Sequence, residues 1–272
     1  MARSTAFGIK PKQSLGQNFL VDENITKNII RDLHLKPDDV VIEIGPGTGA
    51  LTSHLINCVK WLTVVEIDGR VIEELRKKFP SPNVTILHQD FLDTDLFTLK
   101  NSVNTRLRVV GNIPYHLTSP ILFKVFENAA CVRDLTVMIQ REVARRIIAE
   151  PGSKEYGILS VFCGFYGVPK ILFNVSPNCF YPKPKVTSSV VHLQLHQSRL
   201  REIDLALFHL VGRTAFGKRR KTLRNSLQYL PFEEEVVGRI INSKPTMMDQ
   251  RPEQLTVDQF VGLTKEIGSI IT

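Results

Sequence analysis

The stretch Leu107-Arg108-Val109-Val110-Gly111-Asn112-Ile113-Pro114-Tyr115 decides how this chain is read. Leu107 to Val110 has the look of a buried parallel strand. Gly111 is expected to let the chain turn at the strand's C-terminal end, and Pro114 stops the strand. In an open α/β sheet, ligands bind outside the C-terminal ends of the strands. Asn112, the Ile113 carbonyl beside Pro114 and the Tyr115 ring are then presented where chemistry happens. The set suits a flat heterocycle bearing an exocyclic amine. The Asn112 side-chain oxygen and the Ile113 carbonyl can accept its two N–H bonds, and Tyr115 can stack on its face. The plainer alternative is a strand-ending turn with a packed tyrosine, and the rest of the chain must decide between them.

Outward from this stretch, strands and helices alternate. Asp22 to Leu33 predicts a helix, with Asp22 as its cap and Ile25, Ile29, Ile30 and Leu33 on one face. Strands are predicted at Val40–Ile44, Leu62–Val65, Val84–Leu87, Arg106–Val110 and Leu135–Ile139. Helices are predicted at Thr48–Asn57, Gly69–Phe79, Ser119–Glu127 and Arg141–Ala149. Such alternation implies an α/β fold with a mostly parallel sheet covered on both faces. The apolar stretches Leu159–Tyr166 and Val186–Leu195 read as an added antiparallel pair. After Gln197 the pattern turns helical, over Leu205–Phe216, Phe232–Ile241 and Val257–Ile271. Two domains are expected, residues 1–197 and 198–272.

With 272 residues, 43% apolar and 23% charged, the chain has the composition of a soluble globular protein. No segment reaches the apolar length of a membrane span, and Met1–Gln13 lacks the apolar core of an export signal. A cytoplasmic protein with reduced, buried thiols is expected, because Cys58, Cys131, Cys163 and Cys179 are far apart. The seven histidines show no metal-ligand spacing, so no metal is expected. The net charge of +8 favours a polyanionic partner, and eight basic residues against two acids fall in Arg199–Arg224. Within that segment Arg213, Lys218, Arg219, Arg220, Lys221 and Arg224 are candidate contacts to the phosphates of such a partner; a solvated helix face is the bland alternative.

Glu43-Ile44-Gly45-Pro46-Gly47-Thr48-Gly49 follows the first strand of the alternating series and opens a helix. Gly45 and Gly47 let the backbone turn sharply and approach a ligand. Glu66 ends the next strand, 21 residues after Gly45, where an acid can accept both ribose hydroxyls of an adenosine. A dehydrogenase is the competing reading, but the spacing is G-x-G-x-G rather than G-x-G-x-x-G. With Asp90 placed for an adenine amine, the set resembles the class I (Rossmann-like) S-adenosylmethionine methyltransferases. Gln13-Ser14-Leu15-Gly16-Gln17-Asn18-Phe19-Leu20 is either a plain N-terminal arm or a loop that closes over the methionine end of that cofactor.

Together these motifs resemble the ribosomal RNA small-subunit adenine dimethyltransferase family over nearly the whole chain. The resemblance runs through Gln13–Leu20, Glu43–Gly49, Asn112–Pro120, Glu142–Arg146, Pro151–Lys154, Phe180–Val186, Arg219–Arg224 and Arg251–Glu253. It implies cofactor contacts at Asn18, Leu20, Gly45, Glu66, Asp90 and Asn112. It also implies Phe180 as a second ring against the target base. The implied reaction is S-adenosyl-L-methionine-dependent N6,N6-dimethylation of two adjacent adenosines in the 3′-terminal hairpin loop of small-subunit (16S) rRNA. The implied setting is an immature 30S particle, with the enzyme a monomer and no membrane partner. An Erm-type enzyme acting on large-subunit RNA shares the fold, but the Phe180–Val186 and Arg219–Arg224 matches argue against it. A non-catalytic RNA-binding assembly factor is the rival from another class, and the intact cofactor set argues against that.

Overall fold

In the computed structural model, residues 8–218 and 220–272 are described. Residues 1–7 of the N-terminal arm, and Arg219 of the basic segment, lie outside the described residues. The first unit comprises residues 8–144 and 170–195, the second residues 145–169 and 196–272.

The first unit opens with β1 (Phe19–Leu20) and α1 (Glu23–Asp32). The Asp22 side chain caps α1 by accepting from the Asn24 and Ile25 N–H groups. The alternating series follows: β2 (Val40–Ile44), α2 (Thr52–Leu55), β3 (Trp61–Glu66), α3 (Gly69–Lys78), β4 (Val84–His88), α4 (Leu96–Val103), β5 (Leu107–Asn112), α5 (Thr118–Glu127) and β6 (Val132–Gln140). Every residue of β2 is buried, as a strand covered on both faces requires. After α6 (Arg141–Ile147) and α7 (Ile158–Tyr166), the chain returns to the sheet as β7 (Gly167–Val175). It then forms β8 (Phe180–Tyr181) and β9 (Ser188–Leu195).

The large sheet has the order β4-β3-β2-β5-β6-β9-β7. Strands β4 to β6 are mutually parallel, and β9 is antiparallel to β6. The order reverses between β2 and β5, so the crevice for a ligand opens at the C-terminal ends of those two strands. Gly111 does not turn the chain there. It stays within β5, opposite Ile44, where a Cβ would lie 2.6 Å from the Ile44 carbonyl oxygen. The residue is glycine because β2 and β5 leave no room for a side chain. A separate two-stranded ladder joins β1 to β8, pairing Phe19 with Tyr181 and Leu20 with Phe180.

At the N-terminal ends of the strands lies a buried ionic cluster. Arg108 Nε donates to both oxygens of Asp134 at 3.0 Å, its Nη1 to Asp39 at 2.6 Å, and its Nη2 to the Leu33 carbonyl at 2.6 Å. Arg133 adds a 2.9 Å bond to Asp39.

The second unit is helical: α7, then α8 (Leu205–Gly217), α9 (Leu223–Leu227), α10 (Glu234–Ser243), α11 (Pro245–Met248) and α12 (Val257–Ile271). Leu159–Tyr166, expected as a strand, is helix in α7. A short apolar run bounded by glycines fits a buried strand and a buried helix equally. Phe162 and Phe165 pack on Phe208 of α8, with ring centroids 5.3 and 4.4 Å away, and the Tyr166 hydroxyl meets His209 Nε2 at 2.7 Å. Residues 145–169 therefore belong by packing with the helical unit, and not with residues 1–144 as the expected 1–197 domain had it.

Candidate active site

A cavity of about 280 Å³ sits at the C-terminal ends of β2, β3 and β5. The Gly-rich turn after β2 forms its floor. Gly45, Gly47 and Gly49 all have positive φ, between 56° and 76°, a region costly for other residues. A Cβ on Gly47 would lie 2.7 Å from the Phe19 ring, so the N-terminal arm rests directly on this turn.

Two buried acids flank the turn. Glu66, 6% exposed, accepts the Ile67 and Asp68 N–H groups on Oε1, both at 2.9 Å. Burial still pushes its carboxyl above the usual range, against those bonds. The Gly47 N–H also bonds this carboxylate, which lines the cavity and keeps further lone pairs for a ligand. Glu43, 1% exposed, accepts the Thr52 hydroxyl at 2.7 Å, and burial pushes its carboxyl up to about 7. Among the described residues neither acid has an ion-pair partner. Asp90 also lines the cavity; its Oδ1 accepts the Leu92 N–H at 2.8 Å, and Oδ2 remains. Unneutralised acids around a cavity suit a ligand that is cationic and rich in hydroxyl and amine donors. S-adenosylmethionine, a sulfonium attached to an adenosine, has those properties, and these residues fit it.

Asn112 ends β5 and lines the cavity. Its Nδ2 donates to the Asn18 carbonyl at 2.8 Å, which fixes the amide and leaves Oδ1 as an acceptor. Asn18 Nδ2 in turn donates to the Gly16 carbonyl at 3.2 Å. Ile113, Pro114 and Tyr115 line the same cavity, as do Asn18, Leu20, Gly45 and Gly47. The Ile113 side chain is buried in the protein. The Tyr115 hydroxyl meets Ser188 Oγ, on the first residue of β9, at 2.8 Å. Burial raises its pKa, opposed by that bond.

Phe180 is not brought to the cavity. It is 5% exposed and belongs to the buried cluster that holds Leu20, Met138, Val175 and Val190. Its pairing with Leu20 puts the ring in the core, so here it supports the arm instead of offering a free face to a base. The basic residues lie elsewhere, in the helical unit. Arg213 is exposed on α8, and Lys218, Arg220 and Lys221 are exposed in the turn between α8 and α9. Lys218 also lies 5.0 Å over the Tyr229 ring, and Arg224 Nη2 pairs with Asp249 at 3.1 Å.

Sequence reasoning missed Asp68, and it placed Gln17 in the arm without this partner. Asp68 caps α3 and takes Arg70 Nε at 3.0 Å and Gln17 Nε2 at 3.1 Å. Arg70, its foremost partner, and Gln17 hold the Asp68 carboxyl well below the usual range. Arg70 Nη1 also donates to the Lys10 carbonyl at 3.2 Å. This knot ties the arm to the turn that carries Glu66. An Asp two residues after a strand-ending Glu is a cap signal; its arm partner, 51 residues away, leaves no mark in local sequence.

Known proteins resemble this chain in sequence and in fold. A ribosomal RNA adenine dimethylase profile matches residues 8–267. The Ribosomal RNA small subunit methyltransferase A of Caldanaerobacter subterraneus is 40% identical over 97% of this chain and 99% of its own length. The protein of the same name from Francisella tularensis subsp. novicida is 39% identical over 93% and 96%. Among solved structures, a dimethyladenosine transferase from Plasmodium falciparum superposes with a TM-score of 0.80 at 24% identity, covering 93% of this chain and 98% of that one. The 23S rRNA methyltransferase ErmE gives 0.66 at 25% identity, covering 92% and 100%. The match spans both units, from the arm that lies on the Gly-rich turn to the last helix, and the chain belongs to the ribosomal RNA adenine dimethylase family.

Proposed function

We propose that this protein dimethylates N6 of adenosines in small-subunit ribosomal RNA, using S-adenosylmethionine, with Asn112 orienting the target amine. The fixed amide of Asn112 carries the reading: its nitrogen is committed to the Asn18 carbonyl, so its oxygen is the atom available to an incoming amine. Bound in the cavity, S-adenosylmethionine supplies an electrophilic methyl group on a sulfonium. Glu66 holds its ribose, Asp90 its adenine amine, and Asn18, Leu20, Gly45 and Gly47 the rest of its length. The adenine N6 lone pair is delocalised into the ring and nucleophilically weak. By accepting its two N–H bonds, Asn112 Oδ1 and the Ile113 carbonyl favour a pyramidal nitrogen with its lone pair free. Tyr115 supplies a face on which the flipped base stacks. This is positioning and electrostatic complementarity. No side chain takes a proton beforehand, because the nitrogen becomes acidic only once methylated, and no metal is needed to activate a sulfonium.

The substrate within that class is two adjacent adenosines in the 3′-terminal hairpin loop, presented in an immature 30S particle to a monomeric, cytoplasmic enzyme. Arg213, Lys218, Arg219, Arg220, Lys221 and Arg224 of the helical unit contact RNA phosphates. Among the described residues no helix is long and apolar enough to cross a membrane. The test is mass spectrometry of small-subunit rRNA from cells with and without this protein. Loss of N6,N6-dimethyladenosine at two neighbouring positions is expected; an unchanged spectrum overturns the reading.

A further inference from the structure

The loop between β8 and β9 belongs to the first unit, whereas the basic segment belongs to the second. It runs Tyr181-Pro182-Lys183-Pro184-Lys185-Val186-Thr187. Both of its ends are fastened to walls of the cavity. At one end, Tyr181 pairs in register with Phe19, and Phe19 lines the cavity and rests on Gly47. At the other, Ser188 bonds the Tyr115 hydroxyl at 2.8 Å. A third tie joins the loop to the end of β6, where the Arg141 N–H donates to the Thr187 carbonyl at 3.0 Å.

What the loop shows to solvent is basic and aromatic. Tyr181 is 43% exposed, Lys183 and Lys185 are exposed, and Pro184 between them is buried. Arg141 is exposed beside the loop's far end. Among the described residues none of these three cations has an ion-pair partner, and no Asp or Glu occurs in the sequence between Glu155 and Glu202. The charge of the two lysines is therefore not there to satisfy an acid near them in the chain. Two prolines fix the backbone on either side of Lys183, so binding orders little that is not already ordered.

We propose that Tyr181, Lys183, Lys185 and Arg141 form a second RNA contact, which grips the single strand flanking the target base at the mouth of the cavity. It rests on the reaction proposed above and adds the form of the substrate. Lys183, Lys185 and Arg141 take backbone phosphates on either side of the extruded nucleotide, and the Tyr181 ring stacks a neighbouring base. A loop anchored on the residues that hold the target base transmits the position of the strand directly to it.

The test uses the full chain with Lys183→Gln/Lys185→Gln, Tyr181→Ala and Tyr181→Phe. Each is titrated by fluorescence anisotropy with a labelled RNA hairpin whose loop carries two adjacent adenosines. The double variant is expected to bind more weakly, with a salt slope shallower by about 0.7 for each lost phosphate contact. Combined with Arg220→Gln/Lys221→Gln, the two losses of slope are expected to add. Tyr181→Ala is expected to weaken binding by about 5- to 100-fold, and Tyr181→Phe to bind as the unmodified protein does. S-adenosylmethionine affinity and the melting temperature stay unchanged, since the altered side chains are exposed. Wild-type affinity and slope in both the double variant and Tyr181→Ala would overturn the proposal. If the unmodified enzyme methylates rRNA while those variants titrate normally, the loop contact fails and the reaction stands. If it leaves rRNA unmethylated, the reaction fails, and the titration still reports on the loop.

Discussion

The two ends of the parallel sheet each bury a pair of carboxylates, and they treat them in opposite ways. At the N-terminal ends of the strands, Asp39 and Asp134 are neutralised by Arg108 and Arg133. Burial alone raises the Asp39 carboxyl, yet the Lys36 N–H with Arg108 and Arg133 outweighs it and holds the group below its ordinary value. At the C-terminal ends, Glu43 and Glu66 receive only hydroxyl and backbone N–H donors, and burial wins in both. A buried charge matched within the chain belongs to the fold. A buried charge left for something else to match marks where a ligand goes.

Breaking the matched end is expected to give the largest effect. Arg108→Gln leaves two buried carboxylates with only the partly exposed Arg133 to neutralise them, and is expected to destabilise the protein by about 3–5 kcal/mol, read from chemical denaturation. Cofactor affinity of the folded fraction stays the same; a loss of affinity equal to that of a pocket variant would erase the contrast between the ends. Asn112→Ala acts the other way round. It is expected to slow single-turnover methylation by about 10²–10³-fold while the denaturation midpoint moves little. Glu66→Ala removes charge-assisted bonds to the ribose and is expected to weaken S-adenosylmethionine binding by about 2–3 kcal/mol in calorimetry. It is not expected to destabilise as Arg108→Gln does, because no cation is left behind.

Glu43 sharpens the comparison through pH. Its folded value of about 7 lies above the ordinary 4.5, so the folded protein keeps a proton that the unfolded chain has released. Stability from this group is therefore lost as pH rises from 4.5 to 7 and then levels off. Glu43→Gln keeps an acceptor for Thr52 and is expected to flatten that decline, gaining on the order of 1–3 kcal/mol over the native protein at neutral pH. A stability difference between the two that does not grow across this window would mean that Glu43 is ionised throughout. The smallest effect is expected at Tyr115. Tyr115→Phe keeps the stacking ring and loses the bond to Ser188, about 0.5–1.5 kcal/mol, with most of the methylation rate retained. Tyr115→Ala loses a face worth about 1–3 kcal/mol. Equal damage from both would place the function in the hydroxyl.

The sequence carried the functional end of the sheet more legibly than the structural end. Glu66, Asp90 and Asn112 each end, or immediately follow, a run of strand-forming residues, so their place at the crevice follows from local pattern alone. Arg108 sits inside one of those runs and looks like an interruption; only the pairing of β2, β5 and β6 gathers Asp39 and Asp134 around it. The same holds for Phe180, whose aromatic character suited a base and whose burial follows from a partner, Leu20, 160 residues away in the chain. Helix α7 was misread because a run buried on every side loses the periodicity that tells helix from strand.

The close approach at Gly111 makes a missing atom the gauge of the crevice. In a library sampling all residues at each glycine, position 111 is expected to tolerate nothing larger, since any Cβ meets the Ile44 carbonyl and prises β2 from β5. Gly238 and Gly262, on open helix faces with nothing within 4 Å, are expected to accept alanine freely. Drift in this sequence is thus constrained least where glycine decorates a helix and most where it sets the spacing between the strands that carry Glu43 and Asn112.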